Sequence, residues 1–200
     1  MTLERIFNKP DTKLDECILV LKNIIPTDLC DSIIQDIETR PWQPHTWYNP
    51  VKDSYHSEDT KELDIQYAIP ELHKALSPFV IESGRVYNQK YSYPFADKSG
   101  QFMDQFCPVR FNRYEPGQIM RQHMDHIHSL FDGEVKGVPV LSFILNFNDD
   151  YEGADLFFWE DTVVKLGKGD IIMFPSNWLF PHGVTEATKG KRYSGSVWGW

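Results

Sequence analysis

"VPVLSFILNFNDDYEGADLFFWEDTVVKLGKGDIIMFPS", residues 138–176, is a succession of short runs of Val, Ile, Leu and Phe broken by Asp149-Asp150 and Gly167-Lys168-Gly169. Runs of this length, rich in β-branched and aromatic residues and bounded by turn formers, read as strands. The texture starts earlier, at "CPVRFNRYEPG" from Cys107, and runs on through "HGVTEATKGKRYSGSVWGW" to Trp200, with Pro116-Gly117 and Lys189-Gly190 as further punctuation. Many short strands separated by turns predict an antiparallel sandwich or jelly roll.

Upstream the pattern differs. "ECILVLKNIIP", residues 16–26, reads as a buried strand ending at Pro26. In "TDLCDSIIQDIETRP" Thr27 or Asp28 can cap a helix whose Leu29, Ile33, Ile34 and Ile37 recur at helical spacing, and Pro41 closes it. A second helix falls within "PELHKALSPFVIESGRVYNQKY", with Leu72, Leu76 and Phe79 on one face and Pro78 as a break. Between the helices, "WQPHTWYNPVKDSYHSEDTKELD" has neither period and reads as a long loop. The expectation is an α+β, mainly β chain: one domain over residues 1–200, with 1–106 as helical and strand support and lid, and 107–200 as a jelly-roll core.

Composition narrows the classes. With 41% hydrophobic and 14% aromatic residues the 200-residue chain is rich enough to fold around a core. A formal net charge of −9 disfavours nucleic acid or an anionic membrane as partner. Cys17, Cys30 and Cys107 are an odd, scattered set without a C-x-x-C pair, which fits free thiols in a reducing compartment. No apolar run approaches a membrane span and the N-terminal stretch lacks the apolar core of a secretory signal, so a cytoplasmic location is expected.

The chemistry concentrates in "RFNRYEPGQIMRQHMDHIHSL", residues 110–130. On an extended chain His123 and Asp125 share a face while His126 and His128 take the other. The H-x-D pair supplies two of the three ligands of the facial triad of non-haem Fe(II) oxygenases. Of the histidines outside the cluster, His45, His56 and His73 precede the β-region, whereas His182 opens a later strand that can lie beside the first. His182 is the candidate third ligand.

Ten residues beyond His182 stands Arg192, and Tyr114 and Gly117 stand upstream of the pair. The combined pattern Y-x-x-G, H-x-D and H-x(9)-R resembles the 2-oxoglutarate- and Fe(II)-dependent dioxygenases, specifically the prolyl 4-hydroxylase-like group, over about residues 107–200. The resemblance implies a double-stranded β-helix (cupin-like) fold. It implies Fe(II) bound by His123, Asp125 and His182, and 2-oxoglutarate anchored through its distal carboxylate by Arg192, with ascorbate as a reductant. Tyr114, Leu156 and Trp198 are similar to residues lining the oxo-acid pocket. Asn146 stands where many prolyl hydroxylases carry a pocket tyrosine, and Ala154 where the family commonly writes a second Gly. By strand alternation Lys189 and Lys191 face away from the side used by Arg192.

The expected activity is hydroxylation of a C–H bond, with a prolyl residue of a peptide or protein as substrate beneath a lid around Trp47 and Tyr48. A small-molecule or free amino-acid hydroxylase, a non-catalytic metal-binding jelly roll and a zinc hydrolase are the alternatives; Arg192 and the absence of H-E-x-x-H favour iron.

Overall fold

Alternation along the strands divides the molecule into a helix-facing side and an interior. The computed structural model describes residues 13–49, 54–56, 61–91, 103, 105–125 and 138–200. A 3-10 turn, Leu14–Cys17, precedes β1 (Leu19–Leu21) and α1 (Thr27–Glu38). Then come β2 (Gln43–Pro44), β3 (Trp47–Asn49), β4 (Ser54–His56), β5 (Asp64–Tyr67) and α2 (Pro70–Tyr91). The later half contributes β6 (Arg110–Tyr114), β7 (Met120–His123), β8 (Leu141–Asn146), β9 (Glu152–Gly153), β10 (Leu156–Phe158) and β11 (Thr162–Val164). It ends with β12 (Ile171–Pro175), β13 (His182–Val184), β14 (Ala187–Lys189) and β15 (Arg192–Gly199). No helix of the described residues is long and apolar enough to cross a membrane.

A seven-stranded antiparallel sheet in the order β1-β12-β8-β15-β6-β5-β2 faces a four-stranded one, β11-β10-β13-β7. On the large sheet Phe111, Phe143, Leu145, Ile171, Met173 and Val197 pack against Ile33 and Ile37 of α1 and Leu76, Val80 and Tyr87 of α2. Residues of opposite parity on the same strands, Tyr114, Ile172 and Phe174, turn inward to meet Met120, Leu156, Phe158 and Val184. The period of two thus serves two cores at once. The inward row of β15 is unusual in being polar: Arg192, Ser194 and Ser196 are all buried.

Several local expectations change. β1 is an edge strand of intermediate burial, because only β12 pairs with it. Neither Thr27 nor Asp28 caps α1; the helix begins at Thr27 behind Pro26 without a side-chain cap, and Asp28 lies in the first turn, where the helix dipole favours an acid. Pro78 sits inside an unbroken α2, which the packing of Leu76 and Val80 on either side of it holds against the sheet. The stretch 42–64 is not a structureless loop: it holds β2 and the β3–β4 hairpin, and β5, which starts at Asp64, pairs with β6. The large sheet therefore takes strands from both sides of residue 107.

Candidate active site

Two neighbouring strands of the small sheet carry the histidines. β13 pairs with β7 so that His182 lies directly across from His123, their ring centroids 4.4 Å apart. Gly183 allows that approach, since a Cβ there would come within 2.7 Å of Phe157 Cζ and 2.8 Å of the Met120 carbonyl oxygen. Asp125 follows the end of β7 and places Oδ1 3.4 Å from His123 Nε2 and Oδ2 3.6 Å from His182 Nε2. Ligands at about 2.1 Å from one ion stand about 3 Å from their neighbours around it, so the three side chains could hold a single first-row metal with little adjustment.

The surroundings fix how these donors point. His123 Nδ1 lies 2.9 Å from the Arg121 carbonyl and His182 Nδ1 3.0 Å from that of Phe180, so each Nδ1–H donates to the carbonyl two residues before it and each Nε2 presents a lone pair. Ser142 donates to Asp125 Oδ2 at 2.6 Å, and Ser176 stands 2.7 Å from Ser142 in the same buried chain. Burial opposes ionisation of Asp125, yet the facing imidazoles of His182 and His123 and the Ser142 hydroxyl outweigh it, and the carboxyl stays well below the usual carboxylate range. Burial lowers His182 to about 4 against the opposing pull of Asp125, so its imidazole is neutral near pH 7. The edges of Phe174 and Trp47 close on His182 and His123, at 4.6 and 5.4 Å.

Beside this group lies a cavity of about 400 Å³, counting its open mouth, lined by both histidines, Asp125 and the inward residues of β6 and β15. Arg192 lines it at 1% exposure, yet among the described residues no carboxylate pairs with its charge. Nε donates to Asn146 Oδ1 at 3.0 Å and Nη1 to the Ala154 carbonyl at 2.8 Å, and the rings of Tyr114 and Tyr151 flank the guanidinium at 5.6 and 5.9 Å. A buried cation without an anion is costly, so this donor set fits a carboxylate ligand. Burial, partly offset by Arg192 and Arg110, raises Tyr114 to about 12, so its hydroxyl keeps its proton.

Tyr114, Leu156 and Trp198 line the cavity; Asn146 does not. Its amide is spent behind the wall, accepting from Arg192 and donating to the carbonyls of Asn148, Leu166 and Gly167, so it positions the arginine and offers nothing to a cofactor. Ala154 adopts φ +48°, the left-handed conformation that glycine takes without strain, and its carbonyl holds Arg192. Lys189 and Lys191 pair outside with Glu152 and Glu115 at 2.7 and 2.9 Å. His126 and His128 lie outside the described residues, as does the side chain of Tyr48. Sequence reading missed Ser142, Ser176, Ile144 and Arg110. Parity could have found three of them, because Arg110 shares its face with Tyr114, and Ser142 and Ile144 share theirs with Asn146.

Residues 109–200 match the family described as the 2OG-Fe(II) oxygenase superfamily. A PKHD-type hydroxylase of Shewanella sp. (strain MR-7) is 35% identical over 99 residues, covering 47% of this chain and 43% of the relative. One from Saccharophagus degradans is 31% identical over 133 residues, 61% of this chain and 56% of the relative. This chain thus spans about half the length of the curated relatives it matches. Among solved structures, a Pseudomonas putida prolyl-4-hydroxylase superposes with a TM-score of 0.64 at 20% identity, covering 92% of this chain and 91% of that one. A Trichoplax adhaerens prolyl hydroxylase, in complex with a peptide fragment of the hypoxia inducible factor oxygen degradation domain, gives 0.65 at 12% identity, covering 92% and 83%. Residues 109–200 thus resemble the 2OG-Fe(II) oxygenase superfamily, and the chain has the fold of the prolyl hydroxylases.

Proposed function

We propose that the chain is an Fe(II)- and 2-oxoglutarate-dependent dioxygenase that hydroxylates a prolyl residue in a peptide or protein, with residues 1–200 as one oxygenase domain. The observation that carries the class is the pairing of one His-Asp-His group with one buried, anion-free arginine in the same cavity. His123, Asp125 and His182 would hold Fe(II), and Arg192 the distal carboxylate of 2-oxoglutarate. When bound, iron and oxo acid supply the oxidation: one oxygen atom of O2 enters the C–H bond, and the other leaves in succinate after loss of CO2.

The protein's own part is placement and electrostatics. Bonds to backbone carbonyls hold both imidazoles in the ligating tautomer, and Ser142 keeps Asp125 ionised and aimed. Asn146 and Ala154 fix the guanidinium plane. Met120, Leu156 and Val184 give the cavity an apolar wall that limits water. The Trp47 ring, 5.4 Å from that of His123 and with the Arg121 guanidinium over it at 5.1 Å, would turn its remaining aromatic face to a pyrrolidine ring. The prolyl substrate rests on likeness to the prolyl hydroxylases and on this aromatic face. Incubation with Fe(II), 2-oxoglutarate, O2 and a panel of proline-containing polypeptides, with the added oxygen mapped by mass spectrometry, tests it. Oxygen on proline is the expected result; oxygen only on other residues, or only on free amino acids, would overturn the prolyl peptide claim.

A further inference from the structure

The cavity holds a second arginine that the activity proposed above does not use. Arg110 opens β6 and lines the cavity with Asn112 and Tyr114. Its guanidinium carbon lies 5.0 Å from the centre of the Trp198 ring. Nε donates to Asn112 Oδ1 at 3.2 Å, and Asn112 is held in turn by donating to Ser196 Oγ at 2.8 Å. Such stacking and bracing fix the plane of the guanidinium. Among the described residues Arg113 and Arg121 have acid partners, whereas Arg110 has none, and its terminal amino groups donate to nothing. The indole Nε1 of Trp198, buried in the same wall, also lacks an acceptor, as does that of Trp47 beside His123.

Charge and position together set what is missing. Arg192 answers the distal carboxylate of 2-oxoglutarate, while Asp125 and the other end of the oxo acid answer the two charges of iron. Arg110 then remains uncompensated. Across the β6–β15 ladder Arg192 pairs with Tyr114, and Arg110 with Ser196. The two arginines are therefore rooted four residues apart, about 13 Å along the strands, and serve different ends of the cavity. Trp198, against which Arg110 stacks, pairs with Ser142, the residue that holds Asp125, so Arg110 belongs to the end near the metal ligands. Unused donors around a planar cation call for an acceptor with two oxygens.

We propose that Arg110, seated on Trp198, binds a carboxylate of the hydroxylated substrate, so that the enzyme selects substrates with an acidic group close to the reacting carbon. This rests on the oxygenase reading and narrows its substrate class. The chain's formal charge of −9 repels acids at long range, so the recognition is local. The carboxylate has two sources: an acidic side chain flanking proline in a polypeptide, or the α-carboxylate of a terminal or free residue.

Paired probes separate them: proline peptides with Asp or Glu beside the ring against the same peptides with Asn or Gln, and L-proline against L-prolinamide. For each pair kcat/KM is measured on the iron- and 2-oxoglutarate-loaded protein, and binding is measured by calorimetry under nitrogen. The parent is expected to prefer the acid by about tenfold or more in one pair, the range of a charge-assisted hydrogen bond. Arg110→Met should erase the preference, Arg110→Glu invert it and Arg110→Lys retain part of it. The pair that responds names the source. If acid probes bind preferentially and Arg110→Met abolishes this, but no proline is hydroxylated, the prolyl reading fails and the role of Arg110 stands. If no pair shows an acid preference, whether through equal treatment or failure of every probe to bind, the role is overturned even where proline is hydroxylated. Persistence of the preference in Arg110→Met, or a loss confined to 2-oxoglutarate affinity, overturns it too.

Discussion

Replacing Arg192 by Met removes the charge and five donors while keeping a flexible apolar chain of similar length. In the parent that charge is buried to 1% exposure with only Asn146, the Ala154 carbonyl and two tyrosine rings around it. Without oxo acid, the variant should therefore be no less stable than the parent, because an uncompensated buried cation has gone. With oxo acid the order reverses. Loss of a charge-assisted pair costs about 1.5–3 kcal/mol, roughly 10- to 150-fold in affinity. At a 2-oxoglutarate concentration 100 times the parent dissociation constant, binding stabilises the parent by about 2.7 kcal/mol and the variant by about 0.3–1.4 kcal/mol. For a chain of this size that is a rise in Tm of about 5–11 °C for the parent and about 1–6 °C for the variant. Thermal unfolding of the zinc-loaded proteins with and without 2-oxoglutarate reads this directly. Equal oxo-acid stabilisation of the two proteins, or a zinc affinity lost with Arg192, would refute the assignment of arginine and metal to opposite ends of the ligand.

Other residues test the metal end. Ser142→Ala deletes the 2.6 Å bond to Asp125 and should weaken Fe(II) binding about 10- to 100-fold, measured by anaerobic titration, while the fold survives. Gly183→Ala drives a methyl to 2.7 Å from Phe157 and 2.8 Å from the Met120 carbonyl, so β13 must shift against β7; metal affinity should fall at least about tenfold with Tm. His45, 5% exposed, is lowered to about 3 by burial and then by Arg110, His123 and Arg121, so the folded state refuses a proton that the unfolded chain accepts below about pH 6.5. Its contribution is thus full above pH 6.5 and lost as pH falls toward 3, about 2 kcal/mol between pH 6.5 and 5. Urea unfolding of metal-free His45→Gln should show a correspondingly flatter acid limb, and an unchanged limb would count against it.

What could be read from sequence followed from periodicity. Strand alternation put His123 and Asp125 on one face and Arg192 and Trp198 on one face, and the structure needs both parities to build a single cavity. The β-rich texture from Cys107 onward announced the sandwich, since each run had to serve a buried face. Periodicity failed where strands are very short. β2 and the β3–β4 hairpin have two or three residues per strand, too few for a period, and pairing with distant chain holds β2 in place. Pro78 misled because helix rules describe local backbone, and α2 is held by the sheet beneath it. Asn146 misled because position alone does not say whether an inward amide meets the cavity or the arginine behind it.

The most direct measurement is succinate formation from 2-oxoglutarate under O2 with proline-containing peptides, in the parent and in Asp125→Ala. The site described here predicts succinate that requires added Fe(II), rises with a productive peptide and falls to background in Asp125→Ala. Succinate formed equally by the parent and Asp125→Ala, or no Fe(II)-dependent consumption of 2-oxoglutarate by the parent, would contradict it.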